Sequence, residues 1–271
     1  MQRRLALQLI AATAACPALA QDGADSALQA AIANPRRTAA FAARDGWRHP
    51  YETLSFFGIR NDMTVVEISP GAGWFTEILA PYLRQHGQLS LAADDPNSSH
   101  AYYRRSAERL HAKLQARPEA YDRLRVTAFE PPHPTHLAPP DSVDLVLTFR
   151  NVHNWAARGE DAVRAVFASV HDSLKPGGAF GVTDHRLPAA RAQDAKASSG
   201  YVHVDYVTRI AESVGFVPDA STEINANPKD TADHEGGVWA LPPTFANKDR
   251  DRARYAAIGE SDRMTLRFVK R

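Results

Sequence analysis

The chain has 271 residues, 44% of them hydrophobic and 23% charged, with 32 Lys and Arg against 31 Asp and Glu. That composition excludes a disordered or fibrous protein, implies no polyanion partner, and is long enough for one or two packed domains. A single cysteine, Cys16, excludes a disulfide scaffold and a cysteine-based metal centre.

Arg3 and Arg4 precede an apolar run over residues 5 to 15, and Ala18-Leu19-Ala20 follows as a small-x-small cleavage pattern. This is the layout of an export signal removed before Gln21. The run is shorter than the roughly 20 residues a spanning helix needs. An exported, periplasmic protein without stable membrane insertion is therefore expected. Without Arg3, Arg4 and Cys16, 30 basic side chains face 31 acidic ones and no thiol is left. Residues 21 to 62 read as a helical extension, in which Asn34-Pro35 supplies an N-cap and first helical residue for a helix to about Asp45. Residues 51 to 57 then lead toward the first strand of the main domain, residues 63 to 271.

From position 64 short apolar runs alternate with helical patterns, the βαβ rhythm of an α/β fold. The first strand is expected over 64 to 68. The turn Ser69-Pro70-Gly71-Ala72-Gly73 follows, then a helix with Phe75, Ile78, Leu79, Tyr82 and Leu83 on one face. A second strand over 89 to 93 ends at Asp94-Asp95, and a third over 126 to 129 ends at Glu130. A fourth over 143 to 148 runs into Phe149-Arg150-Asn151-Val152-His153-Asn154-Trp155. The next helix carries Val163, Val166, Phe167, Val170 and Leu174 and is expected to stop at Lys175-Pro176-Gly177-Gly178. A fifth strand over 179 to 183 delivers Asp184-His185-Arg186 to its carboxyl end, and Val204, Val207, Ile210, Ala211 and Val214 mark a further helix. The last strands are expected over 222 to 224 and 264 to 269, separated by an excursion long enough to suggest a functional loop.

Strand, glycine turn and helix together begin a nucleotide crevice, because ligands in open parallel sheets sit beyond the carboxyl ends of the strands. Gly71 and Gly73 let ligand atoms approach the backbone. Asp94 lies 21 residues beyond Gly73, where a carboxylate accepts hydrogen bonds from ribose hydroxyls; Asp95 is its rival by a one-residue register shift. Glu67 repels a pyrophosphate and suits a ligand with an amino group or sulfonium. Ser69 stands in place of the first glycine of the dinucleotide fingerprint and Thr76 in place of the third, which disfavours NAD.

The runs Thr64-Val-Val-Glu-Ile-Ser-Pro-Gly-Ala-Gly-Trp-Phe-Thr-Glu-Ile-Leu-Ala-Pro, Phe149-Arg-Asn-Val-His-Asn-Trp, Leu174-Lys-Pro-Gly-Gly and Gly259-Glu-Ser-Asp-Arg resemble class I S-adenosylmethionine-dependent methyltransferases. More narrowly, they resemble a bacterial group of exported methyltransferases. The resemblance extends from about Pro35 to the C-terminus. It implies a doubly wound, mostly parallel seven-stranded α/β sheet with N-terminal helices and long substrate-side loops. It also implies S-adenosyl-L-methionine as cofactor and methyl transfer to a small or peptidyl acceptor. By the same resemblance Glu67, Ser69, Gly71 and Gly73 line the methionine end, Asp94 holds the ribose, Glu130 lies near the adenine and Asn151 joins the cofactor side. Ser69 and the Phe129-Glu130 pair depart from the common pattern of the class.

The segment after strand four sits beside the donor methyl in this fold. His153, Asn154 and Trp155 are accordingly the catalytic candidates: His153 as a base near neutrality, Asn154 as a polar contact, Trp155 as an aromatic wall. Asp184-His185 and His203-Val204-Asp205 either face the acceptor or pair structurally. Eleven histidines include His133-Pro-Thr-His136, yet no His-Glu-x-x-His spacing occurs, so no metal is expected. No Gly-x-Ser-x-Gly elbow supports a serine hydrolase. The run Tyr102-Tyr103-Arg104-Arg105 reads as a solvated helix face, not a nucleic-acid surface. The alternative to an enzyme is an exported protein that keeps the crevice and binds a nucleoside or other metabolite. The loops over 187 to 200 and 225 to 260 are expected to cover the site.

Overall fold

Seven short apolar runs in the chain assemble into one sheet in the computed structural model, which describes residues 25 to 131 and 136 to 271. The leader pattern at 1 to 20, with Cys16, and His133 lie outside the described residues. The strands are β1 (Thr64–Ile68), β2 (Gln88–Ala93), β3 (Arg125–Ala128), β4 (Val143–Phe149), β5 (Leu174–His185), β6 (Phe216–Thr222) and β7 (Arg263–Lys270). Their order is β3-β2-β1-β4-β5-β7-β6. Every pairing is parallel except those of β7, which runs antiparallel to both β5 and β6.

Helices cover both faces. α1 (Ser26–Ile32), α2 (Ala39–Ala42), α3 (Asp45–Arg48) and α4 (Pro50–Phe56) precede the sheet. α5 (Thr76–Leu83), α6 (Ala101–Ala116) and α7 (Pro118–Tyr121) follow β1 and β2, and α8 (Val152–Ala156) and α9 (Glu160–Ser173) link β4 to β5. α10 (Val204–Ser213) precedes β6, and α11 (Arg252–Ile258) precedes β7. On one face Val163, Phe167, Val170, Val207 and Ile210 pack with Val146, Phe180 and Val182. On the other, Leu54, Phe57, Ile78 and Leu79 pack with Val65, Leu91, Leu145 and Leu147. Alternating side chains along β1, β4 and β5 thus feed two separate cores, as strands buried on both faces require, whereas β3 at the edge is exposed. Among the described residues no helix is long and apolar enough to cross a membrane.

Four sequence expectations are corrected. Asn34-Pro35 does not open a helix: the Asn34 side chain accepts from the Arg36 amide at 2.9 Å and its carbonyl from the Arg37 amide at 3.0 Å, closing a turn instead. The stretch expected to be one helix to Asp45 is broken into short turns held by Arg37, whose guanidinium pairs with Asp45 at 2.6 and 2.8 Å. Residues 51 to 57, expected to lead toward the first strand, do so as most of α4, the helix immediately before β1. Leu174 belongs to β5, not α9; the Lys175-Pro176-Gly177-Gly178 run makes a local irregularity in the β4–β5 pairing, with Gly177 at φ +80°. The sixth strand is Phe216–Thr222, ending where the expected one at 222 to 224 begins.

Gly181 shows how tightly the sheet accepts α4. It lies between Phe180 and Val182, on the opposite face, and a Cβ there would stand 2.7 Å from the Phe57 ring and 2.8 Å from Leu147. Gly181→Ala must push Phe57 off the sheet, and a loss of about 1 to 3 kcal/mol in unfolding free energy is expected by urea titration. An unchanged midpoint would show that α4 yields without cost.

Candidate functional site

Strand order reverses between β1 and β4, the place where an open parallel sheet leaves a crevice at its carboxyl edge. Both strands leave that edge through left-handed residues that are not glycine, Ser69 at φ +48° and Arg150 at φ +64°. Each carries a cost of about 1 kcal/mol or more that surrounding contacts must offset. Asn151 supplies those contacts: its amide donates to the Ile68 carbonyl at 3.1 Å and the Thr148 hydroxyl at 3.0 Å, stitching the two strand ends together. Gly71 and Gly73 continue the turn at φ +57° and +76°.

Two cavities open from this edge. A narrow cleft of about 50 Å³ lies toward β2 and β3, and a larger cavity of about 430 Å³ lies toward β5. Ser69, Gly71, Tyr102, Asn151 and Asn154 line both, so the cavities meet over the glycine turn.

Asp94, Asp95, Glu130 and Trp155 line the narrow cleft. The two aspartates differ in what they already do. Asp95 accepts from the Asn97 amide at 2.8 Å in a local turn. Burial raises the pKa of Asp94, an effect eased by the Ser106 hydroxyl and reinforced by Glu130. Glu130 accepts from Ser98 at 2.9 Å and pairs with Arg158 at 3.5 Å. Arg158 also donates to the Pro131 carbonyl and lies over the Tyr103 ring at 4.5 Å, an arm across the outer side of the cleft.

Glu67 and Gly73 line neither cavity. Glu67 is 2% exposed and accepts from Thr76 at 2.6 Å; burial pushes its pKa up to about 7 against the hydrogen bond and the charge of Lys113. Gly73 is covered instead of open, since a Cβ there would meet Lys113 and Thr76 at 3.4 Å. Lys113 spans the turn, donating to the Ala72 carbonyl at 3.0 Å and pairing with Glu77 at 2.6 Å.

His153 lines the larger cavity, and its Nδ1 lies 2.8 Å from the buried Asp184 carboxylate. That carboxylate also accepts from the backbone amides of His153 at 3.1 Å and His185 at 2.7 Å. His185 meets the Ser261 hydroxyl at 2.5 Å, and burial followed by the nearby His153 and Arg150 holds its pKa well below the usual imidazole range. His153, Asp184 and His185 place ligating atoms within 4.8 Å of one another, a potential metal-binding geometry that no sequence spacing announced. His203 and Asp205 line neither cavity; His203 bonds the Arg191 carbonyl at 2.8 Å.

The sequence reading missed the cationic wall of the larger cavity, made by Arg44, Arg48 and Arg150. Glu260 pairs with Arg44 at 2.5 Å, Arg48 at 3.4 Å and Arg263 at 2.7 Å. Burial alone would raise Glu260, but those guanidiniums hold it at about 2. The signal was present in the Gly259-Glu-Ser-Asp-Arg run: Gly259 sits at φ +88°, and a Cβ there would overlap the Trp47 ring at 2.1 Å. Of the two loops expected to cover the site, the later one does so through Val238, Trp239 and Pro242 to Thr244, whereas residues 187 to 200 do not reach either cavity.

No protein-family model matches the sequence, and no curated protein is similar to it by sequence. Solved structures are similar in fold. A SAM dependent methyltransferase from Aquifex aeolicus matches at TM-score 0.52 and 15% identity over 68% of this chain and 87% of its own. Geranyl diphosphate C-methyltransferase from Streptomyces coelicolor, solved with Mg2+, geranyl diphosphate and S-adenosyl-L-homocysteine, matches at 0.54 and 14% over 89% and 88%. The cyclase SpnF matches at 0.51 and 12% over 82% and 80%. The fold is shared with methyltransferases of known structure, and the cyclase shows that the same fold carries other chemistry.

Glu67 gives the site a pH signature. Its folded pKa of about 7 lies above the ordinary 4.5, so between those values the folded state holds the extra proton and stability falls as pH rises. The fall, up to about 3 kcal/mol, is complete above pH 7. Glu67→Gln should abolish it, so that urea midpoints at pH 5 and pH 8 converge relative to the parent; parallel profiles would place the proton elsewhere.

Proposed function

We propose that the protein transfers a methyl group from S-adenosylmethionine to a small or peptidyl acceptor. The observation that carries this reading is the meeting of two cavities over Ser69, Gly71 and Asn151, one lined by acids suited to an adenosyl group and the other by a histidine–aspartate pair. The residues fit the cofactor chemically: a Cβ at Gly71 would meet nothing within 4 Å, which leaves the backbone open to a ligand, and the Asp94 carboxylate lines the adjoining cleft. Ser69, Gly71 and Asn151 would hold the methionine end, Asp94 the ribose hydroxyls, and Glu130 with Phe129 the adenine. Glu67 acts from beneath the turn, as a buried acid that favours positive charge above it.

When bound, the sulfonium supplies an electrophilic methyl group, and the protein has to align the acceptor and exclude water. Asp184, engaged by two backbone amides, fixes the His153 ring by accepting from Nδ1–H, which leaves Nε2 as the proton-accepting nitrogen. The low pKa of His185 keeps that neighbour uncharged. Val238, Trp239 and Pro242 roof the cavity against solvent. A binding-only role is not favoured, because it gives an oriented His–Asp pair nothing to do. Export and a periplasmic site of action rest on the leader pattern of residues 1 to 20.

Two variants test the separate halves of the site. Asp94→Ala should weaken S-adenosylmethionine binding by about 1 to 3 kcal/mol in calorimetry; failure of the parent to bind either the donor or S-adenosylhomocysteine would defeat the reading. Asp184→Asn should leave donor affinity intact while slowing donor turnover in acceptor-containing extract fractions by about 10²-fold or more. Full turnover in that variant would remove the base role from His153.

A further inference from the structure

The larger cavity is electropositive in a way that the methyl donor does not explain. Arg44, Arg48 and Arg150 line it, and Arg263 lies immediately behind. Three carboxylates stand near these four guanidiniums, and Asp262, behind Arg263, is held by Arg186. Glu260 is already shared among Arg44, Arg48 and Arg263, and Asp184 is bound by His153 and two backbone amides. His185, which also lines the cavity, is occupied by Ser261.

The guanidiniums are also short of hydrogen-bond partners. The Arg48 side chain is 3% exposed, reaches Glu260 only at 3.4 Å, and has an Nη2 with no partner. Its charge rests over the Trp74 ring at 4.7 Å. Arg44 Nη2 and Arg263 Nε are buried and unpartnered as well. Arg150 has no side-chain hydrogen bond or ion pair among the described residues, and burial together with Arg263 pulls its pKa down to about 10. A buried charge without a full set of partners costs several kcal/mol, a cost that an added oxyanion lowers by accepting from each fork.

We infer that the ligand of the larger cavity carries an oxyanion, a carboxylate or a phosphate ester, held by Arg48, Arg44 and Arg150. This rests on the methyl-transfer reading only in naming that ligand the acceptor. The oxyanion anchors one end of the molecule on the arginine wall and leaves the other end for His153 and the junction at Asn151. A cavity of about 430 Å³ falls in the range of small-molecule sites, so the anchor belongs to a compact metabolite or to a chain end.

The test uses the whole protein without donor and three probes of one shape: benzoate, phenyl phosphate and neutral benzamide, titrated by calorimetry and by the fluorescence of the tryptophans. At least one anion should bind tenfold or more tightly than benzamide, the stronger of the two identifying the carboxylate or the phosphate as the preferred group. Arg150→Gln, which breaks no hydrogen bond of the folded protein, should lower that affinity at least tenfold. Arg48→Gln should do the same, and Arg48→Lys should restore part of it. Equal binding of anions and benzamide, no binding, or affinities unchanged in Arg150→Gln would overturn the inference. Parallel titrations with S-adenosylmethionine separate the two proposals: lost donor binding with retained anion preference defeats methyl transfer alone, and intact donor binding without anion preference defeats the oxyanion site alone.

Discussion

At the carboxyl edge of the sheet one side chain, Asn151, ties together two strained strand exits that backbone bonds to Ala92 and Thr183 anchor to the neighbouring strands. Ser69 and Arg150 both occupy left-handed backbone, and the Asn151 amide bonds the last carbonyl of β1 and a β4 hydroxyl. With those exits pinned, the Ser69 to Ala72 turn faces the narrow cleft on one side and the larger cavity on the other. The same residues that close the gap between β1 and β4 therefore set the distance between the two cavities. Backbone strain at this edge is offset locally, which is how functional sites commonly keep it.

The second organising element is Glu260. It draws Arg44 and Arg48 from the N-terminal helices and Arg263 from β7 onto one carboxylate. The N-terminal segment is thereby part of the cavity wall and not an appendage: Trp47 fills the space that Gly259 leaves, and Trp74 lies beneath the guanidinium of Arg48. One carboxylate cannot neutralise this many cations, so the network fastens the fold and leaves positive charge facing the cavity at the same time.

How far the site could be read in the sequence followed the range of the interactions involved. β1, the turn after it and the acids ending β2 and β3 were legible, because each is fixed by neighbours within a few residues: apolar alternation, positive-φ glycines, strand ends. Helix starts near Asn34 were not, since an Asx turn and the Arg37–Asp45 pair competed with the capping pattern. Glu67 and Gly73 were assigned to the ligand by resemblance; Lys113, 40 residues beyond Gly73, lies against Gly73, and Glu67 is buried with its carboxylate on the Thr76 hydroxyl. The arginine wall was marked only in part: Arg150, Glu260 and Arg263 stand in runs that drew attention for other reasons, but nothing in those runs points to Arg44, which lies 216 positions from Glu260.

A fold shared by methyltransferases and a cyclase does not choose a reaction, so the choice lies with what surrounds the second cavity. There the two halves of the wall impose different demands. Asp184 orients His153 and leaves it a proton acceptor, which suits removal of a proton from an attacking oxygen or nitrogen. The guanidiniums of Arg44, Arg48 and Arg150 line the same cavity and offer forked donors to an anionic group. Anchoring a ligand and taking its proton therefore fall to different residues of one wall, so a molecule held by the arginines is placed by contacts that the histidine–aspartate pair does not have to supply.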